Sequence, residues 1–287
     1  MDALAERTRN DNGMTEREFR FGVVVGRTPS GTGWAGLARR AEDLGFDTLL
    51  VPDTRNTLAP FPALAAAAAA TTTLHVGTYV LSVPNRTPGL VAWESETLQQ
   101  LSDGRFELGL GGGRPGAEND AAAVGADFGT PSDRIARVAD VIDAVRELDR
   151  PPRILVAAGR PRMLRLAAER ADTVALGLPP TTTEPELART VETLRAAAGD
   201  RAADLELHLN VAAVAADPSS FPAYLERMVG GDPRAVAESG AISLLTGEPE
   251  QIADVLCRRR EEFDVSYLAV NGQFIEQFAE VIAVLRK

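Results

Sequence analysis

The chain holds a single cysteine, Cys257, and only two histidines, His75 and His208. One cysteine excludes an internal disulfide, and Cys257 falls in a helical stretch rather than beside a candidate base, so a reducing compartment is expected. Both histidines sit in strand-like apolar runs, and no cysteine or carboxylate cluster near them has metal-ligand spacing. That argues against a metal enzyme and gives each histidine a structural role. Neither a Ser-His-Asp set nor a G-x-S-x-G elbow is present. Basic charge is scarce as well: 30 Lys and Arg stand against 41 Asp and Glu, a formal net charge of −11 with pI near 4.8. Such a surface cannot displace counterions from a phosphate backbone, which excludes a nucleic-acid partner. No apolar run reaches membrane-spanning length, and Met1 to Glu18 lack the apolar core of a signal peptide. A cytoplasmic protein with a loose tail over residues 1–18 and one domain over 19–287 is expected. With no evident nucleophile or metal cluster, a bound cofactor is the natural carrier of difficult chemistry.

What is present is a regular alternation. Apolar β-type runs start near Phe21, Phe46, Leu74, Phe106, Ile154, Thr173, Leu205 and Ser266, and amphipathic helical stretches separate them. Proline opens several helices, as at Pro60, Pro88 and Pro161, where the missing amide proton costs nothing. Gly45 closes the first helix in the position suited to a left-handed cap. The pattern predicts one (β/α)₈ TIM-type barrel, with an open doubly wound sheet as the alternative. It carries a shortened loop before strand 5, between Leu148 and Ile154, and a small helical insertion after strand 7, where Gly230, Gly231 and Pro233 break the run from Phe221 to Gly240. Leu205 to Ala215 reads as a single seventh strand.

Two glycine-containing motifs follow strands. Gly109-Leu110-Gly111-Gly112-Gly113-Arg114-Pro115-Gly116 contains a formal G-x-G-x-x-G, but Pro115, Gly116 and the polar run to Asp120 delay any helix, unlike a dinucleotide fingerprint. It is either a plain loop or a cofactor-facing edge of the barrel mouth. Ala157-Ala158-Gly159-Arg160-Pro161-Arg162 joins the fifth strand to a helix, and its free amides make either a phosphate cradle or a solvent-exposed turn. Gly159→Asp is expected to abolish phosphate binding while leaving the barrel folded. Arg27, Arg55, Arg86 and Arg114 all follow strands and form either a basic rim or ordinary surface charge.

The stretch LHVGTYVLSVPNRTPGLVAWESETLQQLSDGRFELGLGGG, from Leu74 to Gly113, resembles the luciferase-like monooxygenase superfamily and, within it, the coenzyme F-420-dependent oxidoreductases. FRFGVVV, AEDLGFDTLLVPD, ILVAAGRPRMLRLAAERAD and TGEPEQIADVLCRRREEFDVSYLAV agree in the same order. The resemblance implies a TIM barrel with a deazaflavin (coenzyme F-420), or alternatively FMN, across the strand ends. Ala158, Gly159 and Arg160 would hold the phosphate. Tyr79 and Val80 would form a non-proline cis peptide behind the ring, Gly111 and Gly113 would line it, and Asp53 would lie beside it. Thr54 stands where deazaflavin members often carry histidine, which leaves Asp53 and Thr54 as catalytic candidates without the usual proton donor. The implied activity is hydride transfer to or from a small-molecule or peptide-linked substrate. The alternatives are a monooxygenase using reduced FMN and oxygen, and a non-catalytic cofactor-binding barrel. A homodimer through the Ala63 to Ala70 and Pro88 to Leu101 helices is also implied. The short link before Ile154 is expected to leave the mouth more open and so to favour hydride transfer over oxygen chemistry.

Overall fold

The computed structural model describes residues 8–9 and 15–287, with side chains from Arg17 onward. Most of the tail expected over 1–18 therefore lies outside the described residues; of the remainder, Thr8–Arg9 and Thr15–Glu16 pair antiparallel. The barrel strands are β1 Arg20–Val24, β2 Thr48–Val51, β3 His75–Thr78 with its continuation Leu81–Ser82, β4 Phe106–Gly111, β5 Arg153–Ala158, β6 Thr173–Leu176, β7 Glu206–Val211 and β8 Val265–Asn271. Neighbours pair parallel in chain order, β8 pairs with β1, and β3 pairs with β4, so the sheet closes on itself. The barrel, rather than the open sheet, is the fold.

Each strand is followed by a helix on the outside: α1 Gly31–Asp43, α2 Pro60–Ala70, α3 Pro88–Leu101, α4 Pro131–Arg146, α5 Pro161–Arg170, α6 Glu184–Ala198, α7 Pro249–Phe263 and α8 Ile275–Leu285. Local chemistry fixes their starts. Ser30 and Thr87 accept from the third helical amide, and Thr130 with Asp133 forms a reciprocal capping box. The main core lies between strands and helices, while Leu50, Leu155, Ala175, Tyr267 and Ala269 form a second buried cluster inside the barrel.

Three expectations need correction. The expected seventh strand ends at Val211, because the amide of Ala212 donates to Ser243 O at 2.8 Å and draws the chain out of the barrel. Ala213–Ala215 then pairs with Leu244–Thr246 in a small parallel sheet that supports the insertion helices Leu225–Val229 and Pro233–Glu238. A helix was not expected directly after the glycine-rich loop, yet Ala117–Ala123 follows Gly116, whose φ of 83° turns the chain into it. Its alanines supply helix propensity that the polar residues masked. Lastly, the short link from α4 to β5 is present, but a helix-to-strand connection enters a parallel barrel where strands begin. It therefore removes nothing from the mouth, and the inference to an open site does not follow.

Candidate active site

At the end where the strands terminate lies a cavity of about 570 Å³, lined by the ends of β2 to β6. That is within the range of small-molecule sites, about 300–1,000 Å³. The structure brings all nine expected site residues to it: Asp53, Thr54, Tyr79, Val80, Gly111, Gly113, Ala158, Gly159 and Arg160. No histidine, cysteine, lysine or glutamate lines it. Among the described residues no group of three or more His, Cys, Asp or Glu could hold a metal ion.

The Tyr79–Val80 peptide is cis, as the resemblance implies. The sequence provides for the bulge it makes. Thr78 Oγ1 donates to Gly109 O at 2.7 Å and accepts from Gly109 N at 2.8 Å, replacing the strand ladder with side-chain bonds. A Cβ at Gly109 would overlap the Thr78 carbonyl, and one at Gly111 would stand 2.7 Å from Val80 Cγ2. These glycines therefore make room for the bulge. Gly113, at φ 91°, turns the chain out of β4 against the Phe128 ring. Within the formal Gly111-x-Gly113-x-x-Gly116, then, Gly111 serves packing against the bulge, and Gly113 and Gly116, both at positive φ, turn the chain.

Asp53 ties the end of β2 to this bulge. Its Oδ2 accepts from the Ser82 amide at 2.9 Å and from Arg86 at 2.6 Å, and Arg86 Nε also lies 3.6 Å from Glu94. Burial raises the Glu94 carboxyl above its ordinary value, against the pull of Arg86. Thr57 Oγ1 donates within the Pro52 and Thr54 carbonyl pair and stands 3.3 Å from Thr54 Oγ1, pinning the loop that carries Thr54. The basic rim is smaller than the arginine count suggests. Arg86 is matched by Asp53 and Arg114 by Asp120 at 2.8 Å, Arg27 donates to Asn56 O, and Arg55 is exposed.

Sequence reasoning missed what lies beneath the bulge. The Tyr79 hydroxyl is 3.5 Å from His208 Nδ1, the two rings are 4.9 Å apart, and His208 stacks edge-on to Tyr267 at 4.6 Å. Arg20 lies over the Tyr267 ring at 4.4 Å. His208 is fully buried, burial drives its pKa down to about 3, and its Nε2 has no partner among the described residues. Burial likewise raises the Tyr79 hydroxyl above its ordinary value. The available signal was the two-residue period of β7, which puts Glu206 and His208 on one face, inside the barrel.

After β5, the chain passes through Gly159 and Arg160 into α5, whose first-turn amides no side chain caps. That uncapped end, opening on the cavity beside the exposed Arg160, fits the phosphate of a flavin or deazaflavin. Gly159 has a second task. A Cβ there would overlap the Gly177 carbonyl oxygen at the end of β6. Gly159→Asp would thus disturb the β5–β6 contact, and the expectation that the barrel tolerates it is withdrawn.

A closed barrel with a bulged third strand is the frame that the resemblance to luciferase-like proteins implies. The family described as luciferase-like monooxygenase matches residues 19–150, and that stretch is similar to it in sequence. A coenzyme F-420-dependent oxidoreductase of Mycobacterium tuberculosis is 33% identical over 52% of this chain and 41% of its own length. An F-420-dependent glucose-6-phosphate dehydrogenase of Intrasporangium calvum is 31% identical over 46% of this chain and 50% of its own. The chain thus spans half or less of the length of these relatives. The fold likeness extends further: a monooxygenase from Streptomyces bottropensis superposes with a TM-score of 0.72 at 20% identity, covering 93% of this chain and all of that one. No helix among the described residues is long and apolar enough to cross a membrane.

Proposed function

We propose that the chain is an oxidoreductase that binds the deazaflavin coenzyme F-420 across its strand ends and moves a hydride to or from a small organic or peptide-linked substrate, at a C=C, C=N or C=O bond. The observation that carries the reading is the convergence, in one cavity, of the Tyr79–Val80 bulge, the glycine edge of β4 and the uncapped start of α5. Ala158, Gly159, Arg160 and the first amides of α5 would hold the phosphate, and Val80 would back the ring. When bound, the cofactor supplies the electron pair and the hydride. The chain's part is orientation: Asp53 fixes Ser82 and Arg86, Thr57 fixes Thr54, and His208 supports Tyr79 from below. No histidine, cysteine, lysine or glutamate lines the cavity, so in this reading the substrate proton comes from water, and Thr54 contributes only a hydroxyl.

The names of the relatives support a deazaflavin, while the family description and the Streptomyces fold neighbour support the second reading, a monooxygenase using reduced FMN and oxygen. Fluorescence titration of the purified protein with coenzyme F-420 and with FMN separates them. Tighter binding of the deazaflavin is expected. Preference for FMN with oxygen-dependent turnover favours the monooxygenase, and no binding of either defeats both.

A homodimer through α2 and α3 belongs to the same proposal. Trp93 and Leu101 on α3 are exposed at 69% and 62%, and α2, PFPALAAAAAA, carries no polar side chain on any face. Light scattering of the wild type and of Trp93→Asp tests it, with a shift from dimer to monomer expected.

A further inference from the structure

A second cavity, of about 380 Å³, lies on the outer wall between α6, α7 and the chain that returns from the insertion. It shares no lining residue with the cavity at the strand ends, and its size falls within the range of small-molecule sites, about 300–1,000 Å³. Ala241, Leu244, Ile252 and Val255 supply apolar walls, and Glu184, Thr246 and Arg259 polar ones. Ile252, Val255 and Arg259 recur at three and four residues, so the arginine occupies a place on the inward stripe of α7 where an apolar residue is expected. Its side chain is only 8% exposed. Nε donates to Glu184 Oε1 at 2.8 Å, Nη1 donates to Ile242 O at 2.9 Å, and Nη2 has no partner among the described residues. Nη2 is not sealed within protein either, so it is the edge that the guanidinium turns to the cavity. The Thr246 hydroxyl is a second donor there without a partner among the described residues. Charge is unbalanced in the same sense. Glu184 also takes both Nη atoms of Arg258 at 2.9 Å, one carboxylate serving two guanidiniums, while Glu262 lies 3.7 Å from Arg258 and makes no bond to Arg259. Burial holds the Arg259 guanidinium below its ordinary value with Glu184 offsetting only part of the effect, whereas the bonds from Arg258 and Arg259 hold the Glu184 carboxyl at about 2.

We propose that this cavity is a second ligand site, which binds a small monocarboxylate with a short apolar body, its carboxylate on Arg259 Nη2 and the Thr246 hydroxyl and its body against Leu244, Ile252 and Val255. The ligand's charge answers the guanidinium whose own carboxylate is shared with Arg258, through a charge-assisted bond of the strong kind. A phosphate dianion fits less well, because Glu184 beside the same guanidinium repels two charges more than one. The site also touches the frame. Leu244–Thr246 pairs with Ala213–Ala215, the stretch that follows β7, and Arg259 Nη1 holds the same return segment at Ile242. An occupant therefore ties the insertion's return to α7, and stability rises with its concentration.

Calorimetric titration of the cofactor-free protein with phenylacetate, phenylacetamide and inorganic phosphate tests this, together with Arg259→Lys, Val255→Trp and Arg160→Glu. The wild type is expected to bind phenylacetate with a rise in Tm, and to bind the amide and phosphate about tenfold more weakly or less. Arg259→Lys keeps the cation but loses the planar fork, and should weaken phenylacetate about tenfold. Val255→Trp fills the cavity from a half-buried position and should abolish binding, while Arg160→Glu, at the strand ends, should leave it unchanged. Circular dichroism checks the fold of each variant, and if one of the first two fails to fold, the other decides. No phenylacetate binding by the wild type, equal binding of the amide or of phosphate, or binding that survives both Arg259→Lys and Val255→Trp overturns the assignment. Loss of binding in Arg160→Glu moves the carboxylate to the strand-end cavity and overturns it as well.

Discussion

The two ends of this barrel are built from opposite materials. Where the strands begin, the inward positions are charged or polar: Arg20 on β1 bonds Glu107 on β4 and Glu206 on β7, Glu206 also takes Thr173 at 2.8 Å and Arg153 at 3.3 Å, and His75 Nδ1 lies 3.5 Å from Glu107. Burial acts against the Arg20 charge, but the two carboxylates outweigh it and hold the guanidinium firmly protonated. Where the strands end, the inward positions are Gly111, Ala157 and Gly177, with few side chains and several free amides. One end is closed by side chains that satisfy one another, and the other is kept hollow by residues that have none. Stability should therefore answer mainly to the first end and ligand binding to the second.

The sharpest test removes the centre of the closed end. Arg20→Ala leaves Glu107 and Glu206 facing each other without their cation, and should cost about 3–5 kcal/mol in urea unfolding, as for other broken buried pairs. Cofactor affinity of the folded fraction should be unchanged; a selective loss of affinity would break the division between the ends.

The pH dependence is next in size. Burial sets the folded His208 pKa at about 3 against an ordinary 6.5, so the unfolded chain takes up the proton first. Its contribution is complete above pH 6.5 and is lost as pH falls toward 3. Between pH 6.5 and 4.5, before most carboxylates titrate, this amounts to about 2 kcal/mol. Urea midpoints across that window should fall for the wild type and fall less for His208→Phe, in which His75, whose pKa burial also lowers, still takes up a proton on unfolding. Parallel curves would place the acid sensitivity elsewhere. At lower pH, Glu42 joins in: burial opposes its charge, but the amides of Thr72, Thr73 and Leu74 hold its carboxyl at about 2.

At the hollow end, Gly111→Ala should press on Val80 and cost about 1–3 kcal/mol of stability. Deazaflavin affinity should fall with it, read by fluorescence titration; an unchanged affinity would separate the bulge from the ring site. The smallest structural effect is expected of Arg160→Glu, within about 0.5 kcal/mol because the side chain is exposed. Its deazaflavin affinity should still drop about tenfold through loss of a charge-assisted bond. Equal affinity in this variant would move the phosphate away from α5.

The two ends were not equally legible. Period and punctuation gave the eight strands, and the boundaries of α3, α5 and α7 read correctly because proline opens each and a charged or turn residue closes it. The motif GTYV located the cis peptide through resemblance alone. The closed end stayed hidden because Arg20 and Glu206 are far apart in the chain, although a charged residue in the first or second position of an otherwise apolar strand, as at Arg20, Glu107, Arg153 and Glu206, was a usable sign. The glycines of β4 were noticed, but their reason was not, since a glycine vacated for the Thr78 carbonyl looks in sequence like one vacated for a phosphate. His208 was taken for a structural residue, and its place under Tyr79 depends on a register that only the closed barrel supplies.

The six residues between α4 and β5, from Glu147 to Pro152, emerge at the face opposite the mouth, with Glu147, Asp149, Arg150 and Pro151 exposed. Exposed connections of this kind tolerate insertion and new termini. The barrel thus carries a built-in handle: a tether, a fusion partner or a surface-anchoring tag placed there would present the molecule with its cavity facing outward.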